Sequence, residues 1–202
     1  MTASRRSVAL GLLAAPWLAA CEKLTGRNPA ATFHFTDITG AEFARRLDLP
    51  DADGRPRSLA DWKGKVAVVF FGYTHCPDVC PATLAELAQV RTLLASGADR
   101  LQAVFVTIDP ERDTPEVLKA YVSNFGPGVT AMRGTPEQTA AAAKEFKVFF
   151  SKVPGKVAGN YTMDHSAASF VFDREGRVRL YVPYGSDPKK LAADIKQLVA
   201  AG

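Results

Sequence analysis

The chain has 202 residues, 47% of them hydrophobic and 23% charged, which is the composition of one ordinary globular domain and not of a disordered, collagen-like or many-span membrane protein. Three cysteines are too few for a disulfide-stapled miniprotein or for several iron–sulfur clusters. The net charge is +4, but no basic run is interleaved with aromatic residues, so nucleic acid is not an expected partner.

The N-terminus has the pattern of an export signal. Arg5 and Arg6 precede the apolar run Val8–Ala20, which is shorter than the roughly 20 apolar residues of a membrane-spanning helix. A basic start and a short apolar run are typical of a secretory signal. The run ends in Leu18–Cys21, which resembles a bacterial lipobox, where the cysteine is acylated and becomes the mature N-terminus. The alternative is a buried helix with an incidental cysteine, although such a helix would have nothing to pack against.

We therefore predict three segments: a lipoprotein signal peptide over residues 1–20, a lipidated N-terminus and tether over 21–32, and a folded domain over 33–202. The protein is then expected in the bacterial periplasm, held on the inner membrane by the lipid on Cys21. Arg5 and Arg6 leave general and twin-arginine export both open. Loss of residues 1–20 removes two arginines and no acids, so the net charge falls to 4 − 2 = +2 and indicates no partner.

The domain alternates predicted strands and helices. Lys65–Gly72 is a continuous apolar run, typical of a central strand buried on both faces, and Ala103–Ile108 is a second one. A helix is predicted between them from apolar residues at helical spacing: Leu84, Leu87, Val90 and Leu94. Two more helices are predicted to start at Thr114 and Thr135, because each precedes a proline and a glutamate.

The remaining elements complete the predicted fold. Ser169–Phe172 and Val178–Pro183 predict a hairpin, and Pro188–Ala200 predicts the last helix. Phe33–Ile38 and the stretch around Asp53–Arg55 predict another hairpin. Lys147–Asp164 shows little regular pattern and is predicted to be a long functional or mobile loop. The order of elements predicts an α/β three-layer sandwich of thioredoxin type, a central mixed β-sheet flanked by helices.

Two cysteines lie where the first central strand gives way to its helix, in the crevice where open α/β sheets bind ligands. Pro81 suits the first helical position, which places Cys80 near the N-cap and Cys76 in the preceding loop. The helix dipole there favours the thiolate form of both residues. A structural disulfide is the alternative, but a loop this short restrains the unfolded chain little.

Three motifs together resemble those of the Sco/SenC copper proteins. They are Gly72–Pro81, with the sequence GYTHCPDVCP, Val106–Glu116, with VTIDPERDTPE, and Asp164–Ser166, with DHS. The motifs have the family's order and spacing, and the resemblance extends over about Phe33–Ala200. It implies a thioredoxin-like fold, copper bound by two cysteine sulfurs and a histidine, and a role in assembling the CuA centre of cytochrome c oxidase.

On the matching positions, the resemblance makes Cys76, Cys80 and His165 the copper ligands, and Asp78 and Asp109 match further acids of the family. It implies as partners the copper-bearing oxidase subunit or a periplasmic copper donor. The chain departs from many members in having a lipobox where they have a transmembrane helix. Independently, soft thiolates select Cu(I), and an added imidazole lets a trigonal site hold Cu(II) as well. We expect His165, at the tip of the long loop, to swing onto the metal.

The same cysteines support a second function, a thiol–disulfide oxidoreductase that reduces the oxidase subunit or another periplasmic target. Cys76 and Cys80 would then be a redox-active pair that can form a disulfide. His165 discriminates between the two functions, because copper binding needs it and dithiol exchange does not. Asp78 is a general base for thiol exchange, an acceptor behind the metal ligands, or only an acid at a helix start.

The other polar candidates have both functional and structural interpretations. His34 is interpreted as structural, and His75 as a modulator of the neighbouring thiol. Asp109 is either a turn residue or an acid at the edge that holds the thiols. Arg112 and Asp113 pair with each other or dock a partner. Tyr161 and Met163 are expected to pack the long loop.

Overall fold

The computed structural model describes residues 32–157 and 159–201. The predicted signal peptide, Cys21 and nearly all of the predicted tether lie outside the described residues. No helix within the described ranges is both long and apolar enough to cross a membrane.

The described chain begins with short strands, alternates strands and helices in its middle, and ends with four strands and a helix. The strands are β1 (Thr36–Asp37), β2 (Asp48–Pro50), β3 (Pro56–Ser58), β4 (Val66–Gly72), β5 (Leu101–Thr107), β6 (Val129–Met132), β7 (Phe150–Pro154), β8 (Tyr161–His165), β9 (Ser169–Phe172) and β10 (Val178–Val182). The helices are α1 (Val79–Leu94), α2 (Pro115–Ser123), α3 (Pro136–Glu145) and α4 (Pro188–Ala200), with 3₁₀ turns at Leu59–Trp62 and Ala95–Arg100.

A mixed sheet of six strands forms the centre, in the order β1-β10-β9-β4-β5-β6. Strands β4, β5 and β6 run parallel, whereas β9 runs antiparallel to β4. All seven residues of β4 and of β5 are buried, as their continuous apolar runs predict. Parallel strands end at the same edge of a sheet, so Gly72 and Thr107, which are paired in register, lie side by side at that edge.

Helices cover both faces of the sheet, as the three-layer prediction requires. On one face α1 packs against α4, and Tyr121 of α2 contacts the Phe105 ring of β5. On the other face Phe146, at the end of α3, packs against Phe71 and Phe172. The fold prediction is therefore confirmed.

Both predicted Thr-Pro-Glu helix starts are confirmed. The side chain of Thr114 accepts a hydrogen bond from the Val117 N–H, and that of Thr135 accepts one from the Gln138 N–H. In each case the hydroxyl satisfies a backbone N–H that has no partner within its own helix.

Two sequence predictions about hairpins were wrong. Phe33–Ile38 does not pair with the stretch around Asp53; instead β1 joins the edge of the central sheet beside β10, while β2 and β3 pair around the Asp53–Gly54 turn. The predicted loop over Lys147–Asp164 is largely a regular hairpin of β7 and β8. Its glycines, lysines and proline obscure the strand pattern, because those residues are depleted from strands.

A buried carboxylate fastens the start of the domain to its last helix. Asp194 of α4 is fully buried and accepts hydrogen bonds from the backbone N–H groups of His34 and Phe35, at 2.9 and 3.2 Å. Its other oxygen lies 2.7 Å from the His34 Nδ1. His34 is therefore structural, as its interpretation from the sequence stated.

Replacing Asp194 by alanine is expected to lower the free energy of unfolding by about 2–3 kcal/mol, because two backbone N–H groups and the His34 ring lose a buried carboxylate acceptor. Chemical denaturation measures the change. Asp99→Ala is the control: this exposed carboxylate pairs with Arg91 at 2.8 Å, and its loss should cost less than about 0.5 kcal/mol. Equal losses of stability in the two variants would contradict the conclusion that Asp194 fastens the start of the domain to α4.

Candidate metal centre

The two predicted thiols lie at the carboxyl edge of β4. Strand β4 ends at Gly72, and the loop that follows carries Cys76 into helix α1. The helix begins at Val79, two residues before the position predicted from Pro81, so Cys80 lies in its first turn. Cys80 is fully buried, whereas Cys76 is partly exposed. One thiol is thus accessible from solvent and the other is packed in the core.

His165 completes a three-residue cluster with these thiols. One potential ligand atom from each of Cys76, Cys80 and His165 lies within 4.8 Å of the others. The Nε2 of His165 is 3.8 Å from the Cys80 Sγ. Its Nδ1 lies 2.9 Å from the carbonyl oxygen of Ser166, and because a carbonyl only accepts, Nδ1 is the donor of this hydrogen bond. Nε2 is therefore the ring nitrogen that faces the sulfurs.

The position of His165 differs from the prediction. It is the last residue of β8, paired across the hairpin with Phe150, and not the tip of an irregular loop. The aromatic ring of Tyr73, in the loop before Cys76, meets the His165 ring edge to face at 6.0 Å. A strand and an aromatic neighbour therefore orient this imidazole before any metal arrives.

Gly72 is required for space and not for backbone freedom. A Cβ on this residue would lie 2.6 Å from the Cys80 Sγ and 2.8 Å from the Phe105 ring. The Cys80 sulfur therefore rests against the backbone of β4, and only glycine lets it do so. The steric role of Gly72 was missed from the sequence, because its partner atoms belong to another helix and strand.

The pKa values of the two thiols are shifted in opposite directions. The pKa of Cys76 is lowered to about 5, chiefly because the Cys80 thiol donates a hydrogen bond to its sulfur; the backbone N–H groups of Cys80 and Asp78 and the ring of His165 add to this, and burial opposes it. The pKa of Cys80 is raised by that same hydrogen bond and by burial. The expectation that the helix dipole favours both thiolates was therefore wrong for Cys80.

Alkylation of Cys76 should follow this low pKa. Because only the thiolate reacts, the rate with iodoacetamide is expected to be half-maximal near pH 5 and nearly constant above about pH 6. Mass mapping should find the label on Cys76 and not on buried Cys80. Cys80→Ala removes the largest cause of the shift, so it should move the midpoint to higher pH. A wild-type midpoint near the usual value of about 8.5 would contradict the assignment.

The other predicted polar residues lie around the cluster without joining it. The exposed side chain of Asp78 stands at the N-cap of α1 but makes no capping hydrogen bond. The His75 ring faces Thr74 and Asp113, at 3.2 and 3.9 Å, and not the sulfurs. Asp113 does not pair with Arg112; it is buried and accepts hydrogen bonds from the Thr74 backbone and hydroxyl.

Asp109 pairs with Arg112 and contacts the hairpin that carries His165. Its buried carboxylate accepts hydrogen bonds from the Nε of Arg112 and, at 2.8 Å, from the hydroxyl of Tyr161. Met163 is buried in the same hairpin, so Tyr161 and Met163 pack this segment as expected. Sequence reasoning singled out Asp109 and Arg112 but missed their link to Tyr161, which is 52 residues away from Asp109 along the chain.

Comparison with known proteins settles the family. A model of the family described as SCO1/SenC matches residues 23–200. The chain belongs to the SCO1/SenC family. Its resemblance to that family in three motifs is thereby confirmed.

This SCO1/SenC chain has relatives in bacteria and in mitochondria. The mouse "Protein SCO2 homolog, mitochondrial" is 35% identical over 157 residues, which cover 77% of this chain and 62% of that relative. The structure of Bradyrhizobium japonicum ScoI with copper bound has 39% identity and a TM-score of 0.70, over 78% of this chain and 99% of that one. Yeast Sco1 with copper bound has 32% identity and a TM-score of 0.72, over 80% and 91%.

Proposed function

We propose that this protein binds copper through Cys76, Cys80 and His165 and delivers it to the CuA centre of cytochrome c oxidase. The proposal rests on the clustering of two sulfurs and one imidazole within 4.8 Å at the sheet edge. Thiolate and imidazole donors suit Cu(I) and, in a trigonal arrangement, Cu(II). A structural zinc site takes four ligands, and this cluster supplies three.

The burial of the cluster suits a cargo site. Cys76 and His165 are partly exposed, so an ion bound there remains within reach of a partner's donors, while buried Cys80 anchors it from below. The low pKa of Cys76 means that its thiolate is already formed at neutral pH. Membership of the family implies the oxidase role, and copper-bound relatives support the choice of metal.

Copper titration of the reduced protein tests the proposal. One Cu(I) per chain, and one Cu(II) with a thiolate-to-copper charge-transfer band, are the expected results. The loaded protein is then mixed with the metal-free CuA domain of the oxidase, and copper should move to that domain. Substoichiometric binding would contradict the site, and retention of copper in the presence of the domain would contradict delivery.

The place of action proposed here is the bacterial periplasm, with attachment to the inner membrane through a lipid on Cys21. The support is the basic and apolar N-terminal pattern that ends in Leu18–Cys21. Wild-type protein should incorporate labelled palmitate and lose residues 1–20, whereas Cys21→Ser should do neither. Equal incorporation of label by the two proteins, or none by the wild type, would contradict the lipid anchor.

A second function is thiol–disulfide exchange on a periplasmic target. It is favoured by the low pKa of Cys76 and the raised pKa of Cys80, which give the two thiols different roles. The Cys76 thiolate attacks a target disulfide and forms a mixed disulfide, releasing one target thiolate. Cys80 then loses its proton and attacks the Cys76 sulfur, so the target leaves as a dithiol and the protein keeps the disulfide. This activity should survive in His165→Ala, whereas the affinity for copper should fall.

A further inference from the structure

The hairpin that carries His165 is not part of the central sheet. Strands β7 and β8 pair only with each other among the described strands, so no backbone ladder fixes them relative to Cys76 and Cys80. A hairpin of two strands is marginally stable by itself. Side-chain contacts therefore contribute to holding His165 close to the sulfurs.

Arg112 supplies the most extensive of these contacts. Its Nε donates to the buried carboxylate of Asp109, and its Nη1 donates to the carbonyl oxygen of Tyr161 at 2.9 Å. The guanidinium carbon also lies 3.6 Å from the centroid of the Tyr161 ring, and the hydroxyl of that ring donates to Asp109. Charge-assisted hydrogen bonds and cation–π stacking on partly buried groups are strong for their size.

The contacts of Arg112 lead to His165 by two routes. Tyr161 and His165 belong to the same short strand, and residues 161, 163 and 165 share one face, with Met163 buried between them. The Tyr73 ring forms the second route, since its centroid is 5.8 Å from the Arg112 guanidinium and 6.0 Å from the His165 ring. None of the hydrogen bonds, ion pairs or ring contacts of Arg112 with the described residues involves the sulfurs or the imidazole.

An ion pair also links the hairpin to the loop after β5, but it is weaker. Lys152 of β7 lies 2.6 Å from Glu111, and both side chains are about half exposed to solvent. Water and salt screen such a pair, so it contributes little. The bond of Arg112 to the Tyr161 carbonyl and the bond of the Tyr161 hydroxyl to Asp109 are therefore the main polar links between the hairpin and the loop after β5.

We propose that Arg112 is a positioning residue for His165. Its contacts with Asp109 and Tyr161 form a latch, which holds the hairpin where the imidazole reaches the third ligand position of the site. This inference rests on the proposed copper function and extends it to a residue that touches no metal. The terminal Nη2 of Arg112 is buried without a hydrogen-bond partner among the described residues. Opening the latch would hydrate that group, which lowers the cost of releasing His165.

The test compares Arg112→Ala with the alanine variant of a second arginine that also bonds a buried aspartate. Arg177 donates from its Nε to another buried aspartate, Asp173, at 2.9 Å, but lies at the opposite end of the sheet. Competition with a chromophoric chelator measures the Cu(I) affinity of each variant. Arg112→Ala is expected to lower it by about 10–100-fold, and Arg177→Ala should leave it unchanged. Arg112→Lys should fall between wild type and alanine, because an ammonium cannot make both hydrogen bonds and the stack.

Two further measurements separate positioning from general damage to the fold. In the His165→Ala background, Arg112→Ala should cause no additional loss of copper affinity, because the residue it positions is absent. In the metal-free protein, hydrogen exchange at the Ser166 N–H, which bonds the Phe149 carbonyl, should be faster in Arg112→Ala, while exchange in β4 and β5 should be unchanged.

The possible outcomes distinguish a failure of the latch from a failure of the copper site. Wild-type affinity in Arg112→Ala, or an equal loss with and without His165, would overturn the latch and leave the copper site standing. If wild type and His165→Ala bind copper equally well, the proposed three-ligand site is wrong, and the latch is wrong with it. Tyr161→Phe keeps the ring and removes the hydroxyl bond to Asp109, so it gives a milder second variant, expected to weaken copper binding less than Arg112→Ala.

Discussion

Replacing His165 by alanine is expected to lower the affinity for copper by at least about 100-fold and to leave the thiols reactive. Loss of a group behind a metal ligand costs about 10–100-fold, so loss of the ligand itself costs at least as much. The hydrogen bond from His165 is the smallest of the contributions that lower the pKa of Cys76. The pH at which alkylation is half-maximal should therefore stay near 5. Chelator competition and alkylation against pH measure the two quantities.

His75→Ala is the control for that experiment. This imidazole adjoins Cys76 in sequence, yet it contacts Thr74 and Asp113 and lies outside the ligand cluster. Its loss should leave copper affinity unchanged. If both histidine variants lose copper equally, the assignment of His165 as the specific ligand is wrong; if neither does, the thiols act as a redox pair.

Replacing Gly72 by alanine is expected to destabilise the protein by about 2–3 kcal/mol and to abolish stoichiometric copper binding. The added methyl group would stand 2.6 Å from the Cys80 sulfur and 2.8 Å from the Phe105 ring, inside a strand with no exposed residue. Because Phe105 packs between β4 and α2, the Cys80 sulfur must move, and its hydrogen bond to Cys76 with it. Denaturation and copper titration measure the two effects.

Gly97→Ala provides the comparison, since it is the same substitution at an uncrowded position. Its Cβ would lie 3.9 Å from that of Leu94, which is ordinary van der Waals contact. Stability should change by less than about 0.5 kcal/mol or rise slightly, because alanine restricts the unfolded chain. A Gly72→Ala protein with normal stability and a normal Cys76 alkylation profile would show that the sulfur does not depend on the open backbone.

The elements that the sequence predicts well have local signals. Lys65–Gly72 is apolar throughout and forms β4 from Val66, because a strand buried on both faces needs no polar side. Thr114 and Thr135 mark their helices through hydroxyls that bond backbone N–H groups three residues on. Cys76 and Cys80 were found through their place at a strand end, and His165 through the motif it shares with the family.

What the sequence does not predict depends on distant partners. Strand β6, only four residues long, was missed because its first two residues are half-buried and its stability comes from pairing with β5. The sequence predicts a loop where the β7–β8 hairpin forms, since lysine, proline and glycine weaken its strand pattern. The bond of Arg112 to Tyr161 and the contact of Gly72 with Cys80 join parts of the chain that are far apart in sequence. No local sequence pattern predicts them.

Copper held between two pieces of chain can be passed on without release into solution. Cys76 and Cys80 follow β4 in a loop and helix, whereas His165 ends a separate hairpin. A donor atom of the recipient can occupy the position that His165 leaves, so the ion moves by stepwise ligand substitution while two sulfurs still hold it. On the proposed latch, the first substitution would need the hairpin to open and would not need a copper–sulfur bond to break. High affinity and kinetic lability are therefore compatible in this one site.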